Sequence, residues 1–305
     1  MPIEFGYNPP TGDRGIEHVN PRTFVQDLTR VCDVASKCFS SFWVSDHFQS
    51  ADRFRLECWT QLTWLAARYP TPQLGTIVMA NSYRHPPLLA KMAASLQTFS
   101  GGRLILGYGA GWLEDEYHAY GYPFPSARVR IAQMVEGIQT IKALWTESPA
   151  TYQGQYYQVK DAYCEPRPDP LPPILIGGDG EKYLLRAVAE YADWWLPFSR
   201  DLAVLEQKCN ALREHCRAVG RDYDSIRKTY TLRVHLGRTR AEAERTVNPA
   251  VMRNDPPFVG DPAGLRDYLQ QFIALGFDLF QLVFPGFPAT DDIELFADKV
   301  LPAFQ

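Results

Sequence analysis

Short apolar, β-branched runs alternate with longer helical patterns along this 305-residue chain, and that alternation constrains its fold more than any other feature. Residues 3–7, 42–45, 74–80, 103–108, 174–176, 194–197, 226–236 and 279–284 read as strands. Helical patterns occupy 22–36, 57–68, 86–99, 127–145, 180–191, 202–219, 262–275 and 293–304, with further ones at 114–120 and 240–253. The 127–145 segment sets Ile131, Met134, Val135, Ile138, Ile141 and Leu144 at helical spacing. Pro86 and Pro87 suit a first helical turn. A polar, tyrosine-rich stretch at 152–163 reads as a hairpin insertion around Gly154. Eight strands each followed by helix give the count of an α/β TIM (β/α)8 barrel. A doubly wound sheet alternates in the same way, but its nucleotide fingerprint has to be visible. No repeat, low-complexity stretch or linker divides the chain, so a single domain over 1–305 is expected.

Composition narrows the partners. The chain carries 31 Lys plus Arg against 35 Asp plus Glu, without the basic excess of a nucleic-acid binder. No apolar run approaches the roughly 18 residues of a membrane helix. The opening Met-Pro-Ile-Glu-Phe-Gly shows no basic segment followed by an apolar one, so a cytoplasmic protein is expected. None of the six cysteines forms a CxxC pair, and reduced thiols without a metal site are expected. Cys209, Cys216 and His215 are the nearest approach to a metal set, but neighbours on a helix point about 100° apart.

The strand ends hold the candidates for chemistry. The fourth strand ends in Leu-Gly-Tyr-Gly-Ala-Gly-Trp, which is not GxGxxG because Trp112 takes the third glycine's place. Ile-Gly-Gly-Asp-Gly sets Gly177, Gly178 and Gly180 between the fifth strand and its helix, where backbone N–H groups approach an anion. Such turns also serve packing, and Asp179 opposes an anion unless it points away. Strand two ends in Val-Ser-Asp-His-Phe, placing Asp46 and His47 where barrel enzymes keep catalytic groups. Ser45, Asp46 and His47 are not a hydrolase triad, since strand neighbours point to opposite faces. A loop-capping histidine is the other reading of His47. Tyr83, Arg84 and His85 follow strand three toward the same mouth, whereas Asp115, Glu116 and His118 read as a solvated helix face. His18, His215 and His235 receive no role. Tyr152, Tyr156, Tyr157 and Tyr163 read as packing or as a cover for the site.

Three stretches together resemble the bacterial luciferase-like monooxygenase superfamily: residues 42–48 (Phe-Trp-Val-Ser-Asp-His-Phe), 100–112, and 173–180 continued by 192–195. The resemblance implies a TIM barrel with inserted segments, commonly homodimeric. It also implies either reduced FMN with oxygen or coenzyme F420, a deazaflavin, for hydride transfer. Ser-Asp-His-Phe is most similar to the F420-dependent oxidoreductase branch. Carried over, Asp46 contacts the deazaflavin ring and His47 is the catalytic residue beside it. Ala80 and the turn Gly109-Ala110-Gly111 lie by the cofactor, and Gly177, Gly178, Gly180 and Glu181 receive its phosphate tail. A non-proline cis peptide is expected at Ile77–Val78. The branch's sugar-phosphate dehydrogenases carry a glutamate after the strand-four turn where this chain has Trp112, so a less polar substrate is expected. The alternatives are an FMN-dependent monooxygenase served by a flavin reductase, and a flavin- or deazaflavin-binding protein without turnover.

Overall fold

The computed structural model describes residues 2–13, 19–252 and 256–305. His18, and the Arg253 end of the expected 240–253 helix, lie outside them.

The elements follow in chain order. The first part of the chain gives β1 (Glu4–Tyr7), α1 (Phe24–Ala35), β2 (Ser41–Val44), α2 (Cys58–Arg68), β3 (Gln73–Thr76), β4 (Met79–Ala80), α3 (Pro86–Ser100) and β5 (Leu104–Gly109). The middle gives α4 (Glu114–Ala119), α5 (Ala127–Thr146), β6 (Ala150–Gln153), β7 (Gln158–Ala162), β8 (Ile174–Gly177), α6 (Leu184–Tyr191), β9 (Trp194–Leu196) and α7 (Leu202–Val219). The remainder gives β10 (Arg227–Leu236), α8 (Arg240–Thr246), β11 (Phe258–Gly260), α9 (Pro262–Ala274), β12 (Phe277–Val283) and α10 (Asp291–Lys299).

Two compact units divide these elements. One comprises 1–44, 48–57 and 228–305, the other 45–47 and 58–227. In the first unit β11, β10, β12, β1 and β2 are neighbours in that order, all parallel. Every residue of β12 is buried, as in a parallel strand covered on both faces. Phe5, Phe39, Phe280, Phe284 and Phe296 form its aromatic core, with ring centroids 5.0–6.1 Å apart in the contacting pairs. His235 is tied down there, Nδ1 to Asp292 and Nε2 to the Thr246 hydroxyl, each at 2.9 Å. The sequence reading missed β11, three residues directly behind Pro256 and Pro257. The helix expected to 253 stops at Thr246, because Pro249 biases the residue before it away from helical backbone.

The second unit is a parallel run of β3, β5, β8 and β9, with the antiparallel hairpin β6–β7 apart from it. With β1, β2, β10 and β12, these make the strand count of a (β/α)8 barrel. The expected strand at 74–80 is broken. The Ile77–Val78 peptide is cis, at the position where the family resemblance put such a bond. β3 pairs Leu74 with Leu104, while β4 pairs Met79 with Tyr108, so the register on β5 slips by one residue across the break. The helix expected from 180 starts at Leu184. Gly178 at φ +128 turns the chain first, and Leu184 and Leu185 N–H both donate to the Gly180 carbonyl.

A candidate active site at the strand ends of the second unit

A cavity of about 560 Å³ opens where β4, β5, β8 and β9 end, and every residue lining it belongs to the second unit. Its volume lies within the range of small-molecule sites. Among its lining residues are Asp46, His47, Ile77, Val78, Ala80, Gly109, Ala110, Gly111, Gly177, Gly178 and Gly180. The sequence singled out all of these; Glu181 does not line it.

The floor is set by three contacts. A Cβ on Gly109 would meet Val78 Cγ2 at 2.7 Å, and one on Gly177 would meet both Val78 methyls at 2.8 and 2.9 Å. Val78 therefore fills the space that side chains at 109 and 177 would take. Gly111 has φ +75, and a Cβ there would run into the Tyr117 hydroxyl. The Gly109–Gly111 turn thus needs glycine for close packing as well as for backbone shape.

Asp46 is almost wholly buried and fully engaged. The Arg84 fork donates to Oδ2 at 2.9 Å and Oδ1 at 3.1 Å, and the Ala80 N–H donates to Oδ2 at 3.0 Å. This carboxylate clamps the chain directly after the cis peptide.

His47 differs. Its side chain is 25% exposed, and Nδ1 lies 3.0 Å from Oε2 of Glu116, whose side chain has no exposure at all. The Tyr83 hydroxyl donates to the same oxygen at 2.7 Å. Burial, and then the Glu116 carboxylate, push the Tyr83 hydroxyl far above the ordinary tyrosine range, so it remains a donor. The Trp112 indole stands edge-on to the imidazole at 5.8 Å, yet Trp112 is 70% exposed. It forms an apolar flank at the mouth.

Glu116 overturns the expectation of a solvated face on α4. Asp115 and His118 are exposed as expected, but Glu116 and Tyr117 turn inward. The signal lay in the helical phase: Leu113, Glu116 and Tyr117 stand at i, i+3 and i+4, so the carboxylate belongs to the apolar stripe.

At the other end of the cavity, the amides of Asp179, Gly180 and Glu181 donate to no protein acceptor among the described residues. They precede α6, where amides and helix dipole favour an anion. The Asp179 carboxylate lines the same cavity and is engaged by neutral donors. Its Oδ2 is held by Ser199 N at 2.8 Å, by the Ser199 hydroxyl and by Phe198 N. The Glu181 carboxylate turns to Lys208 at 2.8 Å, which holds it below the usual carboxylate range, so only its amide faces this role.

Other candidates fall outside the site. Exposed His85 lies edge-on to Tyr157, and His215 Nε2 bonds the Glu181 carbonyl at 2.7 Å. Cys209 and Cys216 are buried, and the described residues contain no group of three side chains able to hold a metal. Tyr152 and Tyr157 pack through Gln139 and Asn81, and none of the four insertion tyrosines lines the cavity. Among the described residues no helix is long and apolar enough to cross a membrane.

A family model described as luciferase-like monooxygenase matches residues 4–278, and the chain belongs to that family. A relative from Kineococcus radiotolerans, named F420-dependent glucose-6-phosphate dehydrogenase, is 35% identical over 212 residues, 67% of this chain and 61% of its own length. Two further relatives of that name are matched over 52% and 50% of their lengths. An F420-dependent secondary alcohol dehydrogenase, solved with an F420–acetone adduct, superposes with TM-score 0.84 at 19% identity over 100% of both chains. A monooxygenase from Streptomyces bottropensis does so with TM-score 0.82 at 21% identity, over 99% of this chain and 100% of that one. These likenesses show the fold, a luciferase-like TIM barrel.

Proposed function

We propose that this chain is a coenzyme F420-dependent oxidoreductase that moves a hydride between the deazaflavin and a small organic substrate. The observation carrying this reading is the polarity of one cavity: an apolar slot over Val78, His47 paired with Glu116 at one end, and at the other the Asp179 and Gly180 amides, which donate to no protein acceptor among the described residues. A flat tricyclic ring with a phosphate-bearing tail fits that order of surfaces. Bound deazaflavin supplies hydride acceptance or donation at its ring carbon.

The chain's own residues do the rest. Asp46, held by the Arg84 fork, and Ala80, whose N–H donates to Asp46, would flank the ring, and Gly109, Ala110 and Gly111 would let the backbone approach it. The Asp179, Gly180 and Glu181 amides receive the phosphate. His47 takes the substrate's proton during oxidation or returns it during reduction, which makes it the acid/base. Trp112 presents an indole in place of a carboxylate, favouring an alcohol or carbonyl substrate with an apolar body over a sugar phosphate. The relatives' names agree with the cofactor and not with that substrate.

Side-by-side fluorescence titrations with F420 and FMN test the reading. Tighter binding of F420 supports it, and a preference for FMN overturns it. The likeness to the Streptomyces monooxygenase favours one second reading, an FMN monooxygenase fed by a flavin reductase, which consumes oxygen during turnover. We also propose a homodimer, as the family resemblance implies; Leu88 and Phe99 on α3, 56% and 83% exposed, are apolar surface that a partner would cover. Light scattering at twice the 34.7 kDa chain mass is the expected result.

A further inference from the structure

We propose that Glu116 is the positioning residue for His47: it fixes which ring nitrogen carries the proton and stabilises the imidazolium formed in turnover. The inference rests on the reading of His47 as the acid/base.

Three observations carry it. The Glu116 side chain is fully buried, and burying a carboxylate is costly unless charge or hydrogen bonds compensate. Its Oε2 accepts from the Tyr83 hydroxyl at 2.7 Å, and because burial keeps that hydroxyl protonated, the oxygen is the acceptor. The same oxygen lies 3.0 Å from Nδ1 of His47. An oxygen that accepts from Tyr83 pairs with Nδ1 as an N–H donor. The neutral ring then has its lone pair on Nε2, which becomes its basic atom.

Other charged and titratable groups of the cavity wall are engaged as well. Asp46 is neutralised by the Arg84 fork, and Tyr83 stays protonated. Arg130 is committed to the Gly111 and Pro125 carbonyls. Tyr117 is held protonated by burial, and its hydroxyl reaches the Ala110 carbonyl. In the oxidation of an alcohol the part of this pair is the O–H proton, which passes to Nε2 of His47, while bound deazaflavin would take the C–H hydride. The imidazolium that results stands against the Glu116 carboxylate.

The test reads the His47 ring nitrogens by long-range 1H–15N NMR in the cofactor-free protein, so its outcome stands whether or not deazaflavin binds. Wild type is expected to show one tautomer with Nδ1 protonated. Glu116→Gln is expected to give a mixture of both tautomers. Tyr83→Phe, which keeps the carboxylate, is expected to retain the Nδ1–H tautomer. F420 affinity within threefold of wild type in the Glu116 variant marks an intact cavity. An unchanged His47 spectrum in Glu116→Gln overturns the proposal. So does a Tyr83→Phe spectrum as disturbed as that of Glu116→Gln, because the carboxylate's charge is then not what acts. Failure of His47→Ala to impair turnover strikes the acid/base reading alone.

Discussion

On the proposed reading, Trp112 is the side chain that redirects a shared site. An indole at the mouth desolvates apolar substrate surface, at about 25 cal/mol per Å² covered, and gives a hydroxyl-rich substrate one N–H donor but no acceptor. Trp112→Glu is therefore expected to lower kcat/KM for apolar secondary alcohols relative to polyhydroxylated ones by on the order of tenfold. A ratio that does not move, measured across a panel of both kinds, removes Trp112 from substrate selection. The contrast between His47 and Glu116 shows how far residues speak for themselves. His47 was legible because it ends a strand. Glu116 was hidden in an acidic run, Glu114-Asp115-Glu116, where charge argues for solvent and only the phase shared with Leu113 and Tyr117 argues for burial. A side-chain type states what a residue can do, but its helical phase states where it does it.

At the scale of elements, the turn into α6 and the β6–β7 hairpin invite opposite substitutions. Gly178 combines φ +128 with Leu184 directly against its missing Cβ, whereas a Cβ on Gly180 meets only Leu184 Cβ at 3.8 Å. Gly178→Ala is expected to cost about 2 kcal/mol or more in denaturant unfolding, and Gly180→Ala under about 1 kcal/mol. Equal losses would mean that the turn is not what holds this loop. The hairpin hangs on Glu136, whose carboxylate accepts from Gln155, Tyr156 and Tyr157 N–H at 2.7–3.2 Å. Glu136→Ala is expected to speed amide exchange at those three positions and to cost about 1–3 kcal/mol, with F420 affinity unchanged because the insertion lies off the cavity. Strand and helix positions were largely legible, since periodicity follows burial directly. The breaks were not: Pro249 ended α8 early, and β3 and β4 separated around one peptide bond.

For the whole molecule, the thiols give the simplest readout of integrity. Five of the six cysteines are buried, and burial pushes the Cys38 thiol up to about 11 from an ordinary 9.0. At pH 8 the reactive thiolate of Cys38 is thus about 100-fold scarcer than that of a free thiol. The native protein is expected to resist iodoacetamide at pH 8, and to take up six equivalents once denatured. Fast labelling of more than one site in the native state would contradict this burial. The barrel count was legible because eight apolar runs have few other arrangements. The division into two compact units was not, because it follows contacts between segments far apart in sequence, such as 1–44 with 228–305.

The single valine beneath the cavity makes two glycines conditional on a third position. Gly109 and Gly177 are each closed to a side chain mainly by Val78. Alanine at either glycine is harmful beside valine and becomes tolerable after Val78→Ala, although neither glycine φ is positive. Drift or a library that samples these three positions one at a time will find only losses. Paired changes, valine first, open a route to a reshaped floor, and with it to a different ring or a tilted one.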